Sequence, residues 1–98
     1  MYANNEIGTI QPIRRVVDVC HDRGILVHTD AAQSLGKIRV DLDELGVDLL
    51  SIAGHKIYAP KGIGALFVKN GVMISPVLLG AAQESGLRPG TENVAGIV

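Results

Sequence analysis

Three short apolar runs set the terms for this chain: ILVHTD from Ile25, VDLLSIAG from Val47 and GALFVKN from Gly64. Each reads as a β-strand, the last bounded by glycine and Asn70. Upstream, PIRRVVDVCHDRG puts Ile13, Val16, Val17 and Cys20 on one helical face, with Pro12 at the start and Gly24 as the stop. Strands interleaved with a helix and loops are pieces of a doubly wound α/β sheet. Apolar residues make up 47% of the 98 and aromatics 3%, so the core is built from Ile, Val, Leu and Ala, the usual filling of a parallel sheet covered on both faces. A chain of this length is one domain at most, and buries about 65% of the surface its unfolded form exposes.

The linking segments are polar and rich in turn residues. AAQSLGKIRVDLDELG, after the first strand, reads as a loop with one helical turn near Leu42 to Leu45, and AAQESGLRPGTEN as an aperiodic loop. Thr91 is placed to N-cap a closing amphipathic stripe of Val94, Ile97 and Val98. That stripe stops after about two turns, short of the ~12 residues of an average helix. At the other end, MYA is a stub before the turn residues Asn4, Asn5 and Gly8. The expectation is a chain truncated at both ends.

Several classes of partner are disfavoured. The net charge is -1 with both signs interspersed, which offers neither a basic stripe for nucleic acid nor a polybasic membrane anchor. The apolar runs fall far short of a bilayer span, and Met1 begins no targeting pattern, so the expected compartment is the cytoplasm. The single cysteine, Cys20, cannot form an internal disulfide, matches no metal spacing and belongs to the helix core.

The chemistry-bearing residues cluster where strands end. Asp30 closes ILVHTD, beside apolar neighbours that would leave an unpaired charge costly. Ligands of open α/β sheets sit beyond the carboxyl ends of strands, so a ligand could supply its partner; a loop or cap aspartate facing water is the plain alternative. SIAGHKIYAPKGIGAL, residues 51 to 66, raises the matching question with His55, Lys56 and Lys61. Lys56 follows the second strand as Asp30 follows the first. Partial desolvation there favours the neutral amine, which can attack a carbonyl to form a Schiff base, whereas an ordinary surface lysine is solvated. Lys61 lies in a turn between Pro60 and Gly62. No phosphate-loop or dinucleotide fingerprint is present, since Phe67 stands where GIGALF needs its third glycine. His28 and Asp30 share a strand face at i and i+2, a weak metal spacing without a third ligand nearby; a His28 buried on the sheet and hydrogen-bonded to a neighbour is the favoured reading.

Taken together, ANNEIGTIQPI, HTDAAQSLGK, DLLSIAGHKIYAPKGIGAL and GLRPGTEN resemble the pyridoxal-phosphate-dependent cysteine desulfurases of the class V aminotransferase superfamily, with selenocysteine lyases as near neighbours. The resemblance covers essentially all 98 residues. It implies a partial three-layer α/β sheet, the central part (residues 1–98) of the large domain of a fold-type I transferase. It further implies that Lys56 forms the Schiff base with pyridoxal phosphate and shuttles a proton, leaving Lys61 structural. Asp30 would pair with the pyridine nitrogen, Gln33 with the phenolic oxygen, and His55 with the phosphate or the imine. Asn5 would lie near the ring and the substrate carboxylate, and Thr91 would reach the cofactor phosphate of the other subunit of a homodimer, with Arg88 bracing its loop. The implied reaction takes sulfur from L-cysteine, gives alanine and an enzyme persulfide, and feeds a sulfur-acceptor protein in iron-sulfur cluster assembly or thiolation.

One position departs from the family pattern. Ala53 stands where many members carry a phosphate-gripping Ser or Thr, a loss of ~1.5 to 3 kcal/mol unless the Gly54 or His55 amide compensates. An apolar residue there belongs with the lyase-like branch, so cysteine and selenocysteine both stay open as substrates. The family's sulfur-accepting cysteine, ring-stacking histidine and carboxylate-binding arginine have no counterpart among these residues. A catalytically inactive interaction module and a metal-dependent hydrolase built on His28 and Asp30 are the rival readings.

Overall fold

Pro12 opens the first helix: its φ of −78° suits a helix start, and it has no N–H to leave unpaired. In the computed structural model, which describes residues 1–98, that helix (α1) spans Ile13–His21. An Arg14–Asp18 ion pair at 2.9 Å staples one exposed turn, and Gly24, at φ +67°, turns the chain back. Ile13 and Val17 are buried and Cys20 packs against them, but Val16 is exposed. The buried seam is therefore i, i+4, i+7; Val16 is rotated about 100° from Val17, onto a flank that nothing covers.

The second helix (α2, Leu42–Leu45) exists because both its ends are capped. The Asp41 carboxylate accepts from the Asp43 and Glu44 N–H groups, and Gly46 adopts the left-handed conformation at φ +69°. Arg39 donates to Asp41 at 2.9 Å and to Glu44 at 2.7 Å. Its hydrogen bond, followed by that from the Glu44 N–H, holds the Asp41 carboxyl below the usual range, while Asp41 raises the guanidinium. All of this faces water and contributes little to stability.

Three strands form one sheet in the order β1-β2-β3: β1 His28–Asp30, β2 Leu49–Ala53 and β3 Gly64–Val68. β1 and β2 run parallel with Asp30 opposite Ser51. β3 is antiparallel to β2, where a doubly wound reading expects a further parallel strand. The reason lies in the connection. Residues 54 to 63 hold only a 3-10 turn, too short for the crossover that a parallel return requires.

The core lies on one face of the sheet and joins Ile13, Val17, Val27, Ala31, Leu45, Val47 and Leu50. At its rim sits Asp48, only 4% exposed. It accepts from His21 Nε2 at 2.8 Å and the Val27 N–H at 2.8 Å, with Lys69 Nζ at 3.9 Å. The His21 hydrogen bond, then that of Val27, holds the Asp48 carboxyl below its ordinary value. Helix α1, the start of β1 and the end of β3 are thus tied to one side chain.

On the opposite face His28 and Asp30 are exposed, as expected of part of a three-layer sheet. Only 12 of the 98 residues are buried, and the exposed surface of 7008 Å² exceeds the ~5,400 Å² of a compact monomer of this mass. The segment after β3 leaves Met73, Val77 and Leu79 almost fully exposed. A four-residue helix (α3, Val94–Ile97) closes the chain. Its cap is Asn93, whose side chain accepts from the Gly96 N–H, not Thr91, because the turn begins two residues later than the sequence pattern suggests. No helix is long and apolar enough to cross a membrane.

Candidate functional site at the strand ends

Asp30 and the Gly54–Lys56 turn lie past the carboxyl ends of neighbouring parallel strands, on one edge of the sheet. The loops that follow them touch. A Cβ on Gly36 would meet the Ile57 side chain at 3.3 Å, and Lys37 Nζ donates to the Lys56 carbonyl at 3.4 Å. The segment carrying Gln33 and the segment carrying His55 and Lys56 are therefore packed side by side.

The N-terminal segment joins the same edge. The Tyr2 N–H donates to the Asp30 carbonyl at 2.7 Å, and the chain then turns through Asn4 to Gly8, where Asn4 Oδ1 accepts from the Glu6 and Ile7 N–H groups. This turn carries Asn5, which is exposed. Asn5, Asp30, Gln33, His55 and Lys56 thus come from three segments, of which the one carrying Asp30 and Gln33 is bonded to each of the other two. Thr91 is not among them. It lies in the loop before α3, and α3 meets the rest of the chain where Gly96 packs on Ile63.

Asp30 is exposed, not sunk among apolar neighbours as its sequence context suggests, since its strand face has no layer over it. Its Oδ1 accepts from the Ala32 N–H at 2.8 Å, the turn-capping bond of the plain reading. The bond also orients the carboxylate and leaves Oδ2 without a partner in the chain. Neither Asp30 nor Lys56 belongs to any of the ion pairs, which engage Arg14, His21, Arg39 and Lys69. Lys61 is likewise unpaired, exposed and in a turn with Gly62 at φ +84°.

The turn that presents Lys56 is held tightly. The Gly54 N–H donates to the Ile63 carbonyl at 2.8 Å, and the Gly54 carbonyl accepts from Ile57 and Ala59. A Cβ on Gly54 would lie 3.0 Å from both Ala59 Cβ and the Ile63 oxygen, so glycine alone lets this loop close. Two residues past Lys56, Tyr58 takes φ +71°, a left-handed conformation that costs a non-glycine residue roughly 1 to 2 kcal/mol.

One further residue, Ser51, was not evident from the sequence. His28 is exposed rather than buried, yet it does find a neighbour: its Nε2 lies 3.1 Å from Ser51 Oγ. The available signal was a serine interrupting the apolar run LLSIA. No third His, Cys, Asp or Glu joins His28 and Asp30. Two hollows, of about 310 and 400 Å³, lie beside the helices, bordered by Arg14, His21 and Lys69 in one and by Tyr2, Arg15 and Glu44 in the other. Neither includes Asp30 or Lys56, whose side of the sheet is open.

The family described as aminotransferase class-V matches residues 1–98. The chain is 55% identical over its whole length to a cysteine desulfurase IscS from Dictyoglomus turgidum, covering 25% of that protein, and 52% identical to one from Methanosarcina thermophila, covering 24%. It spans about a quarter of the length of these curated relatives. Among solved structures, a NifS-like protein superposes on 99% of the chain with a TM-score of 0.93 and 47% identity, the match covering 27% of that protein. SspA in complex with cysteine superposes on 98% with a TM-score of 0.90 and 46% identity, covering 28% of its chain. The chain belongs to the class-V aminotransferase family.

Proposed function

We propose that residues 1–98 are the central, cofactor-holding part of the large domain of a pyridoxal-phosphate-dependent cysteine desulfurase. One observation carries the reading: Asp30, with one carboxylate oxygen anchored and the other unpartnered, ends β1, and Lys56, with an unpaired amine, lies in the turn just past the same end of the parallel neighbour β2. An acid and an amine so placed suit the two ends of a pyridine aldehyde. The residues present therefore fit the cofactor by the chemistry of their donor set.

When bound, pyridoxal phosphate supplies an electron sink for bond changes at the substrate α-carbon. The chain's own residues hold and orient it. Lys56 Nζ would hold the aldehyde end of the cofactor and would serve as the base that moves a proton at the substrate α-carbon. Asp30 Oδ2 retains the proton on the ring nitrogen. Gln33 donates its amide to the phenolic oxygen, and His55 orients the phosphate or the lysine linkage. With a methyl group at Ala53, phosphate binding falls to the Gly54 and His55 amides. Asn5 lies near the substrate carboxylate. Thr91, in the loop before α3, would serve the cofactor of a second copy, which makes the working unit a homodimer.

The substrate that fits this reading is L-cysteine, in line with relatives named cysteine desulfurase and a neighbour crystallised with cysteine. A cysteine thiolate outside these residues would attack the substrate sulfur, forming an S–S bond as the Cβ–S bond breaks and alanine leaves, and the persulfide sulfur would then pass to an acceptor protein in the cytoplasm. Cys20 is not that residue, because it packs on the core side of α1. To test the assignment, the chain is mixed with pyridoxal phosphate, reduced with borohydride and its peptides mapped. The expected tag is on Lys56; a tag on Lys61, or one spread over surface lysines, overturns it.

A further inference from the structure

His28 and Ser51 form a polar pair that the roles given to Asp30 and Lys56 do not use. The pair joins β1 to β2 with His28 Nε2 3.1 Å from Ser51 Oγ. The register sets Ser51 opposite Asp30 and Leu49 opposite His28. Strand alternation then puts His28, Asp30 and Ser51 on one face, the face opposite to buried Thr29 and Leu50. With neighbouring strands about 4.8 Å apart, the Ser51 hydroxyl stands beside the Asp30 carboxylate while bonded to the imidazole one row back.

A serine hydroxyl has a single proton to donate. Given to His28 Nε2, it is unavailable to Asp30. Given to Asp30, it would stabilise the carboxylate and weaken its hold on a protonated ring nitrogen. Asp30 Oδ1 is already engaged by the Ala32 N–H at 2.8 Å, so Oδ2 is the oxygen at stake. The neutral imidazole with its proton on Nδ1 is the form that accepts at Nε2.

We propose, resting on the assignment of Asp30 to the cofactor ring, that His28 is a positioning residue: by accepting the Ser51 hydroxyl proton at Nε2 it keeps that hydroxyl off Asp30 and leaves Oδ2 to the ring nitrogen. The remaining ionisable groups at this end of the sheet, Lys37, His55 and Lys56, are unchanged in every variant of the test.

The experiment uses the full-length holoenzyme loaded with pyridoxal phosphate labelled with nitrogen-15 in the ring. The nitrogen chemical shift, followed against pH, reports protonation of the ring, and equilibrium dialysis reports cofactor retention. His28→Leu frees the hydroxyl to bond Asp30. The pH midpoint of ring protonation then falls by about one unit and the cofactor is held about tenfold more weakly. Ser51→Ala, with no hydroxyl to misdirect, keeps the parent midpoint, and so does the double variant. His28→Gln, which keeps an acceptor, also keeps it and shows that the effect is not one of folding. An unchanged midpoint in His28→Leu overturns the proposal, as does a Ser51→Ala that shifts the midpoint as far as His28→Leu. Borohydride mapping of each variant separates the two levels. A tag on Lys56 with no shift in midpoint overturns the role of His28 alone, whereas a tag elsewhere in the parent overturns the site assignment with it.

Discussion

Asp48 shows how much of this fold hangs on single side chains. It sits just before β2, and its carboxylate accepts hydrogen bonds from a helix-end histidine and from the backbone N–H that leads into β1. Because these donors lower its folded value, the stabilisation is present above the unfolded carboxyl value of about 3.9 and is lost as pH falls through the lower folded value. Asp48→Asn is expected to destabilise the chain by about 1 to 2 kcal/mol at pH 7, measured by urea unfolding. The gap from the parent should close below roughly pH 4; a gap that persists there would show that another contact is responsible. Little of this was legible beforehand, since Asp48 reads as one more charged residue before a strand. The places of Asp30 and Lys56 at the strand ends were legible, because a charge that closes or follows an apolar run stands out against it. The unpartnered Oδ2 and the His28–Ser51 bond were not, since both depend on the β1–β2 register.

Among the elements, α2 could be placed from Asp41 and Gly46, whose cap chemistry is local. β1 could not be sized. Its first expected residues, Ile25 and Leu26, are exposed, because the Val27 N–H is taken by the Asp48 side chain and the ladder begins only at His28. Strand direction was equally hidden, for an apolar run reads the same either way; the length of residues 54 to 63 was the usable clue. That connection closes onto β3 through Gly64, where a Cβ would lie 2.6 Å from the Ile52 carbonyl oxygen. A backbone atom cannot yield as a side chain does, so Gly64→Ala should push β3 from β2 at this point and cost about 1 to 3 kcal/mol. Hydrogen exchange provides the check: faster exchange is expected at the Gly54 N–H, bonded to Ile63, than at β1 amides. Unchanged protection at Gly54 would mean that the strand ends tolerate the separation, and the turn presenting Lys56 would then be less constrained than its bonds indicate.

For the molecule as a whole, the balance of covered and uncovered surface decides what the 98 residues are. Composition correctly announced an aliphatic core, but only one face of the sheet receives it, and a radius of gyration of 14.8 Å exceeds the ~12.6 Å of a compact chain this long. The open face is the one that carries Asp30, His28 and Ser51, so the candidate site lies on the side of the sheet that the core does not cover. Relatives four times as long are consistent with this, since the chain covers 25% of the first of them. The claim on which the account turns is that Asp30 and Lys56 grip one ring from two strands. A crystal structure of the cofactor-loaded protein tests it most directly. The account predicts Lys56 Nζ bonded to the aldehyde carbon and Asp30 Oδ2 about 2.7 to 2.9 Å from the pyridine nitrogen; a ring held by Lys61, or one whose nitrogen points away from Asp30, would contradict it.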